Sequence, residues 1–460
     1  MLPMLPMLPP HFLSPSRTQG GRSLLPVLLL CLGLALTACA SRAPTRPIPP
    51  AQTGEVRDLS TYPQDLQVYA RAAGNDTPLL DSATQARADA AFNERLFHPW
   101  AREESAYTPR KFKKLIGKDW GYTGAQRWTR EAWADVVANI NAAAFPTLLG
   151  PGILVRNSHL REAPTMTPRY GRPTPNPTID PFDNMQYSLL PVGMPVFVSH
   201  ISRDRRWYFA ETALVSGWLR AEDVALVDTT FMARYRTGAY AAIIKDDVTL
   251  GDITEHADIG TVLPLAGPGL TVFVPRRDAQ GRGVLHTVTL KAAEAARKPL
   301  PLTARRIALI GNEMIGQPYG WGGTGGERDC SSTTHDLFTP FGIWLPRNSA
   351  AQARAGVATP LDGLDATGKE QLLAQNGKPF LTLVNMRGHV GVYLGQHKGK
   401  AAMFHNIWGV RVLWGGNGRE RHVIGRCVVT GLAPGQELPN ADRDKPLVNR
   451  VYGFTTLPRD

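Results

Sequence analysis

Two stretches of the chain hold residue types that could do covalent chemistry. Cys330 follows the turn Pro318-Tyr319-Gly320-Trp321-Gly322-Gly323 and opens Ser331-Ser332-Thr333-Thr334-His335-Asp336-Leu337-Phe338. That second run has helical character and is stopped by Pro340 and Gly342. A cysteine at a helix N-terminus meets unpaired backbone N–H groups and a partial positive charge, both of which favour thiolate over thiol. The same N–H groups suit the oxyanion formed when a thiolate attacks a carbonyl. A lone cysteine is most often an ordinary buried residue, but the polar surroundings of Cys330 favour the reactive reading.

A thiol nucleophile needs a base. His335 sits inside the predicted Cys330 helix and points away from its start. His389 opens the strand His389-Val390-Gly391-Val392-Tyr393-Leu394, with Val390, Val392 and Leu394 on the buried face. After the polar turn Gln396-His397-Lys398-Gly399-Lys400, a second strand runs from Ala401 to Ile407. If that turn is symmetric, residue 395 faces 401 and residue 391 faces 405, so odd-numbered residues share a face. His389 and His405 are then diagonal neighbours, with backbones about 7–8 Å apart, and Asn406 points the other way. His397 and His422 read as surface residues.

The rest of the chain must position these groups. At 460 residues it is too long for one core, and two to four domains are expected. The net charge of +12 comes without a dense Lys/Arg block, which suits an anionic polymer or surface and equally a solvated basic exterior; no nucleic-acid partner is expected. No cysteine–histidine cluster has zinc spacing, and Gly322-Gly323-Thr324-Gly325-Gly326 lacks the Gly-Lys-Ser/Thr of a phosphate loop. Neither a metal nor an organic cofactor is implied.

Residues 1–39 read as a processing segment: Arg17 and Arg22 precede an apolar run from Leu24 to Leu36, too short for a stable spanning helix. Its end, Leu36-Thr37-Ala38-Cys39, resembles the lipobox of bacterial lipoproteins. The resemblance implies cleavage before Cys39 and acylation there; a plain secretory signal is the alternative. With Ala40 and Ser41 next, the lipoprotein habit implies the periplasmic face of the outer membrane. Residues 40–60, with Pro44, Pro47, Pro49 and Pro50, read as a tether. Cys330 and Cys427 then remain in an oxidising compartment, where a disulfide is the competing reading.

Residues 61–150 read as a helical domain. Ser82 can cap a helix to Leu96, and Thr129 a helix with Trp133, Val136, Val137 and Ile140 on one face. Trp100, Trp120, Trp128 and Trp133 are expected in the core. Residues 151–228 read as a small β domain with strands at 155–161, 194–198, 206–210 and 216–219 and a proline-rich loop, resembling a bacterial SH3-like barrel. A second unit is placed at 229–292, running from Phe231 to Leu290, with strands at 241–244, 261–263 and 285–288. In the last segment, 293–460, Thr303 caps a helix with Ile307, Ile310 and Met314 on one face. Ser349 and Gln352 have capping-box spacing.

Residues from about 300 to 430 resemble the NlpC/p60 cysteine peptidases. The motifs are Pro318-Tyr319-Gly320-Trp321-Gly322-Gly323, Asp329-Cys330-Ser331-Ser332, Pro346-Arg347-Asn348-Ser349-Ala350-Ala351-Gln352 and Gly388-His389-Val390-Gly391-Val392-Tyr393. The resemblance implies a papain-like α+β domain with Cys330 as nucleophile, His389 as base, His405 orienting it and Tyr319 helping to hold the oxyanion. It implies that Asp329, Ser331 and Ser349, with Trp321 and Asn348 beside them, receive the substrate's amino end. Asn348 stands where the family usually has aspartate, which removes negative charge from that pocket. The implied activity is a γ-D-glutamyl–L-diamino acid endopeptidase on peptidoglycan stem peptides with a free L-alanine, in a monomer tethered by its lipid. An amidase or acyltransferase on the same fold, or a non-catalytic wall-binding lipoprotein, are the alternatives.

Overall fold

The computed structural model describes residues 55–118, 120–147, 150–174, 180–251, 255–414 and 418–458. The processing segment, Cys39 and most of the tether lie outside the described residues. The tether ends earlier than expected, because Val56 is buried in the C-terminal core and the Asp58 carboxylate accepts from the Gly431 backbone N–H at 2.8 Å.

Five helices follow, Asp58–Thr61, Gln67–Ala72, Ser82–Phe97, Pro109–Leu115 and Arg130–Ile140. Thr129 caps the last as expected, but Asp81 rather than Ser82 caps the third, accepting from Thr84 N at 2.8 Å. These helices have no core of their own. Leu66, Tyr69 and Ala70 join the core beneath the Cys330 helix. Phe92, Leu96, Phe97 and Trp100 pack with Ile153, Phe231 and Tyr235 of the β units, and Phe112 and Ile140 with Phe209 and Trp218. A helix too short to be stable alone gains its stability from such tertiary packing. Trp120 departs from expectation: it is exposed, with the Arg169 guanidinium 4.8 Å from its ring.

The first β unit is an antiparallel sheet of seven strands, in spatial order 186–190, 158–161, 217–220, 207–212, 195–201, 150–154 and 224–226. Of the strand expected at 155–161, residues 158–161 form the strand Ser158–Arg161, and 155–157 turn back from Gly150–Leu154. In the second unit Tyr240–Ile243 lies between Val262–Pro264 and Ala295–Lys298, beside the hairpin of Thr271–Arg277 and Gly283–Thr289. Its strand at 295–298 lies past the expected boundary at 292, and Phe231 belongs to a helix, Thr229–Tyr235, capped by Asp228. Proline at 275 hides the 271–277 strand from sequence patterning.

The C-terminal domain is a six-stranded antiparallel sheet in the order 357–360, 451–456, 382–386, 389–397, 400–414 and 418–430. Helices Ala304–Met314 and Cys330–Phe338 cover one face, where Ile307, Ile310, Met314 and Leu337 meet Val390, Val392 and Phe404. On the other face, Val384, Tyr393, Met403 and Phe454 pack with Leu373 of the Ala366–Asn376 helix. The helical region, two β units and this α+β domain are the fold class that the sequence implies.

Candidate active site

Cys330 is the first residue of its helix and Asp329 is the N-cap. The thiol is free, as is that of Cys427, so no disulfide joins them. Burial pushes the Cys330 thiol up to about 12, helped by the Asp329 charge; the Val390 and Ser331 backbone N–H groups and the Arg347 charge pull the other way. At neutral pH the resting group is therefore a thiol, and thiolate must form by handing its proton to a neighbour.

That neighbour comes from the hairpin. Val392 pairs with Phe404 and Tyr393 with Met403, the register expected at the histidines. Nearer the turn the pairing differs: a bulge between Tyr393 and Gly395 sets Gly395 opposite Ala402, not residue 401. His389 and His405 share a face, and His389 Nε2 lies 2.8 Å from His405 Nδ1. Gly391 between them leaves the room, since a Cβ there would stand 2.6 Å from Met403 Cγ and 3.0 Å from His405 Cβ. His405 Nε2 lies 3.0 Å from Thr430 Oγ1, and the Thr430 hydroxyl donates to the Gly431 carbonyl at 2.7 Å. These contacts fix the protons. With its hydrogen committed to Gly431, Thr430 accepts from His405 Nε2–H. His405 Nδ1 then accepts from His389 Nε2–H, and His389 Nδ1 is left unprotonated as the base. Burial, the neighbouring His405 and the Arg450 and Arg421 charges hold His389 well below the usual imidazole range, and burial takes His405 down to about 3. Both rings are neutral at pH 7. Thr430 carries no sequence signal of its own; only the strand pairing brings it to His405.

Tyr319 lies within electrostatic reach of Cys330. Burial and the Cys330 and Asp329 charges raise its phenol well above the ordinary value, so it remains an O–H donor. Its ring is 6.0 Å from Trp408 and 6.3 Å from Phe182. Trp321 Nε1 donates to the Asp183 carbonyl at 3.1 Å, and its ring packs 5.1 Å from Phe182.

The residues assigned to the substrate's amino end are placed differently. The Asp329 carboxylate is buried and engaged: it accepts from Ser331 N, Ser332 N and Gly322 N, and from Arg347 Nη1 at 3.1 Å and Nη2 at 2.7 Å. A carboxylate so enclosed braces the helix start and is not open to an incoming ammonium. Ser331 Oγ also donates to Asp329 and accepts from Arg347. Asn348 is exposed and caps the short helix Ser349–Gln352, accepting from Ala351 N at 2.9 Å. The expected Ser349 cap is thus one position off. Gln352 is fully buried and serves as a brace, donating to the Ser331 and Pro346 carbonyls and accepting from Thr334. Ser349 is half-buried at the start of that helix.

Two arginines that the sequence left without roles tie both β units to the nucleophile. Arg347 Nε donates to Ser188 Oγ at 2.7 Å. Arg328 bonds both Asp246 oxygens, Asp336, Gln317 and the Ile259 carbonyl, while its own carbonyl accepts from Asn406. The glycine-rich turn serves the same docking. Gly322 and Gly323 have positive φ, and a Cβ at either would collide with Gln186 or Leu189 of the first unit at 2.7 and 2.3 Å. Gln186 Nε2 donates to the Gly322 carbonyl at 2.8 Å.

Comparison with known proteins agrees with this geometry. Four family models match: the NLPC_P60 stabilising domain at 27–145, an SH3 domain of SH3b1 type at 168–220, an SH3 domain of SH3b2 type at 228–268 and the NlpC/P60 family at 316–413. Among curated relatives, a Corynebacterium glutamicum protein named "Probable endopeptidase" is 30% identical over 129 residues, 28% of this chain and 56% of that protein. A γ-D-glutamyl-L-lysine dipeptidyl-peptidase of Bacillus subtilis is 35% identical over 97 residues, 21% of this chain and 31% of it. The chain thus spans about half the length of the first relative and a third of the second. A solved structure of an NlpC/P60 endopeptidase from Photobacterium damselae subsp. piscicida has a TM-score of 0.75 at 25% identity, covering 86% of this chain and 97% of that one. The Cys330–His389–His405 domain therefore belongs to the NlpC/P60 family, carried behind that family's N-terminal stabilising domain and two SH3b domains.

Proposed function

We propose that the protein is a thiol endopeptidase of peptidoglycan stem peptides that cuts the γ-D-glutamyl–L-diamino acid bond. The observation that carries this reading is the hydrogen-bonded chain from Thr430 through His405 to His389, which leaves His389 Nδ1 as a base next to Val390, whose backbone N–H reaches the Cys330 thiol at its helix N-terminus. In the reaction, the Cys330 proton passes to His389 Nδ1 as sulfur bonds the γ-carbonyl carbon. The oxyanion draws on the Tyr319 hydroxyl and backbone N–H groups near the helix start. The imidazolium then protonates the leaving amine as the C–N bond breaks. Water, deprotonated by His389, hydrolyses the remaining thioester and restores the thiol.

The preference for an unblocked L-alanine rests, in this reading, on the wall that the first SH3b domain builds beside the cleft and not on Asp329. Phe182, Gln186 and Ser188 pack against Trp321, Gly322 and Arg347 there, and the reading has this wall exclude a glycan-linked stem. The reading is completed by a lipid on Cys39 holding a monomeric enzyme at the outer membrane, on its periplasmic face, which follows from the sequence Leu36-Thr37-Ala38-Cys39. The test is mass-spectrometric product analysis with L-Ala-γ-D-Glu-diaminopimelate and its N-acetyl form. Release of L-Ala-D-Glu and free diamino acid, faster from the unblocked peptide, is expected. Cleavage at another bond would overturn the activity, and equal rates would overturn the preference.

A further inference from the structure

The long hairpin of the C-terminal sheet sets two arginines directly opposite each other. Past the shift in pairing between Ile407 and Gly409, Arg411 of the 400–414 strand faces Arg421 of the 418–430 strand. Direct cross-strand partners point to the same face, and like charges placed so destabilise the pair. The carboxylate that Arg411 meets is Asp442, at 3.9 Å, and Arg421 Nη1 donates to the Gly409 carbonyl at 3.2 Å. Both arginines line a cavity of about 600 Å³, together with Lys369, Arg387, Lys445 and Arg450, and with Asp362 as the acidic residue. Lys369 is buried and its Nζ donates to the Val448 carbonyl at 3.2 Å, while Arg450 Nε donates to the Arg387 carbonyl. Among the described residues no ion pair engages Lys369, Arg387, Arg421, Lys445 or Arg450.

Six cations thus stand against Asp362 in the lining and Asp442 behind Arg411, an excess of four positive charges. Loss of water and the neighbouring arginine charges pull Arg421 and Arg450 below the ordinary guanidinium value. A concave cluster that repels itself in this way is stabilised by an anion. The size of the excess selects the anion. A carboxylate brings one charge, whereas a phosphate monoester brings nearly two and three acceptor oxygens. Two phosphates on one small molecule therefore balance the cavity, where a single carboxylate leaves most of the repulsion in place. The donor set suits them: guanidinium groups give paired N–H bonds to phosphate oxygens, and lysine a compact charge. None of Cys330, His389 and Tyr319 lines this cavity, so it is separate from the catalytic cleft.

We infer that this cavity is a second, non-catalytic binding site, which holds a ligand bearing two phosphate groups between Arg411, Arg421, Arg450 and Lys369. The inference is independent of which bond the catalytic domain cuts. Two sources share this chemistry, a soluble phosphorylated sugar and the phosphate headgroups of a lipid surface.

The experiment is calorimetric titration of the full chain with fructose 1,6-bisphosphate, and with citrate as the carboxylate probe. The bisphosphate should bind about 10-fold tighter than citrate or better. The double variant Arg411→Gln/Arg421→Gln should weaken bisphosphate binding about 10- to 100-fold. Its thermal midpoint without ligand should not fall below that of wild type, because a repelling pair has been removed. Lys113→Gln/Lys114→Gln takes the same charge from the exposed face of the Pro109–Leu115 helix and should leave the affinity unchanged. Phosphatidylcholine vesicles with and without phosphatidic acid separate the two sources. Extra uptake on the phosphatidic acid vesicles, competed by fructose 1,6-bisphosphate, assigns a lipid headgroup; equal uptake beside intact bisphosphate binding assigns a soluble ligand. No binding of the bisphosphate, equal affinity for citrate, or equal losses in the two double variants would overturn the site.

Discussion

Asp329 and Arg347 form a buried pair whose loss can be worked out from its surroundings. Their side chains are 7% and 10% exposed, and they meet through two N–H···O bonds of 3.1 and 2.7 Å. Burial raises the Asp329 carboxyl, but the Arg347 charge and the Ser332 and Gly322 N–H groups outweigh it, and the net shift is downward. The pair's contribution is then complete above the unfolded carboxyl value near 3.9 and fades as pH falls below it, so pH 7 measures all of it. Asp329→Asn keeps a side chain suited to the N-cap but leaves a buried guanidinium without its anion, at a cost of about 3–5 kcal/mol. Arg347→Met leaves the carboxylate uncompensated at a similar cost. In the double variant neither charge is orphaned, so its loss should fall short of the sum by about 1–3 kcal/mol. The assay is urea unfolding of the four proteins followed by tryptophan fluorescence, with slopes compared to confirm a common transition. Additive losses, or an Asp329→Asn variant as stable as wild type, would refute the reasoning. So would a changed preference for unblocked over N-acetylated peptide in Asp329→Asn, because that carboxylate is turned into the protein.

Thr430→Val removes the acceptor that sets the His405 tautomer; kcat should fall about 5- to 10-fold with KM little changed, and Thr430→Ser should restore it. An equal loss in both variants would make Thr430 a packing residue. His335 donates from Nδ1 to the Leu345 carbonyl at 2.5 Å and is held down to about 4 by burial. Its folded value lies below the unfolded 6.5, so unfolded chains take up the proton first and stability drops as pH falls from 6.5 toward 4, by about 3 kcal/mol for this group. Unfolding free energies of wild type and His335→Gln should therefore converge by that amount between pH 7 and 4; a constant gap would show that the ring does not titrate in that window. Near neutral pH, iodoacetamide should label Cys330 much faster than the fully buried Cys427, and equal rates would remove the case for a base beside Cys330.

The catalytic residues were legible because each sits in a locally determined element. Asp329 and Pro340 bracket one helix, and alternation with a polar turn placed His389 and His405 on one strand face even though the bulge beyond Tyr393 was not foreseen. What could not be read depends on contacts between distant parts of the chain. The Arg328–Asp246, Arg347–Ser188 and Gln186–Gly322 links join residues separated by 82, 159 and 136 positions, and no periodicity signals them. The glycine-rich turn was legible as a turn, but the reason for Gly322 and Gly323 lies in the SH3b strand laid against them. Asp329 shows the same limit in chemical form: a carboxylate beside a nucleophile reads as a substrate ligand until Arg347 is found facing it. The helical region reads as a domain because its helices are locally strong, whereas its apolar faces are shared among three neighbours.

The central claim is covalent catalysis by Cys330, and the most direct measurement is mass spectrometry of enzyme quenched in acid during turnover of L-Ala-γ-D-Glu-diaminopimelate. Proteolytic mapping should find the L-Ala-γ-D-Glu acyl group as a thioester on Cys330, and Cys330→Ala should give neither the adduct nor the product. Product formation that survives Cys330→Ala, or an acyl group carried by Cys427, would contradict it.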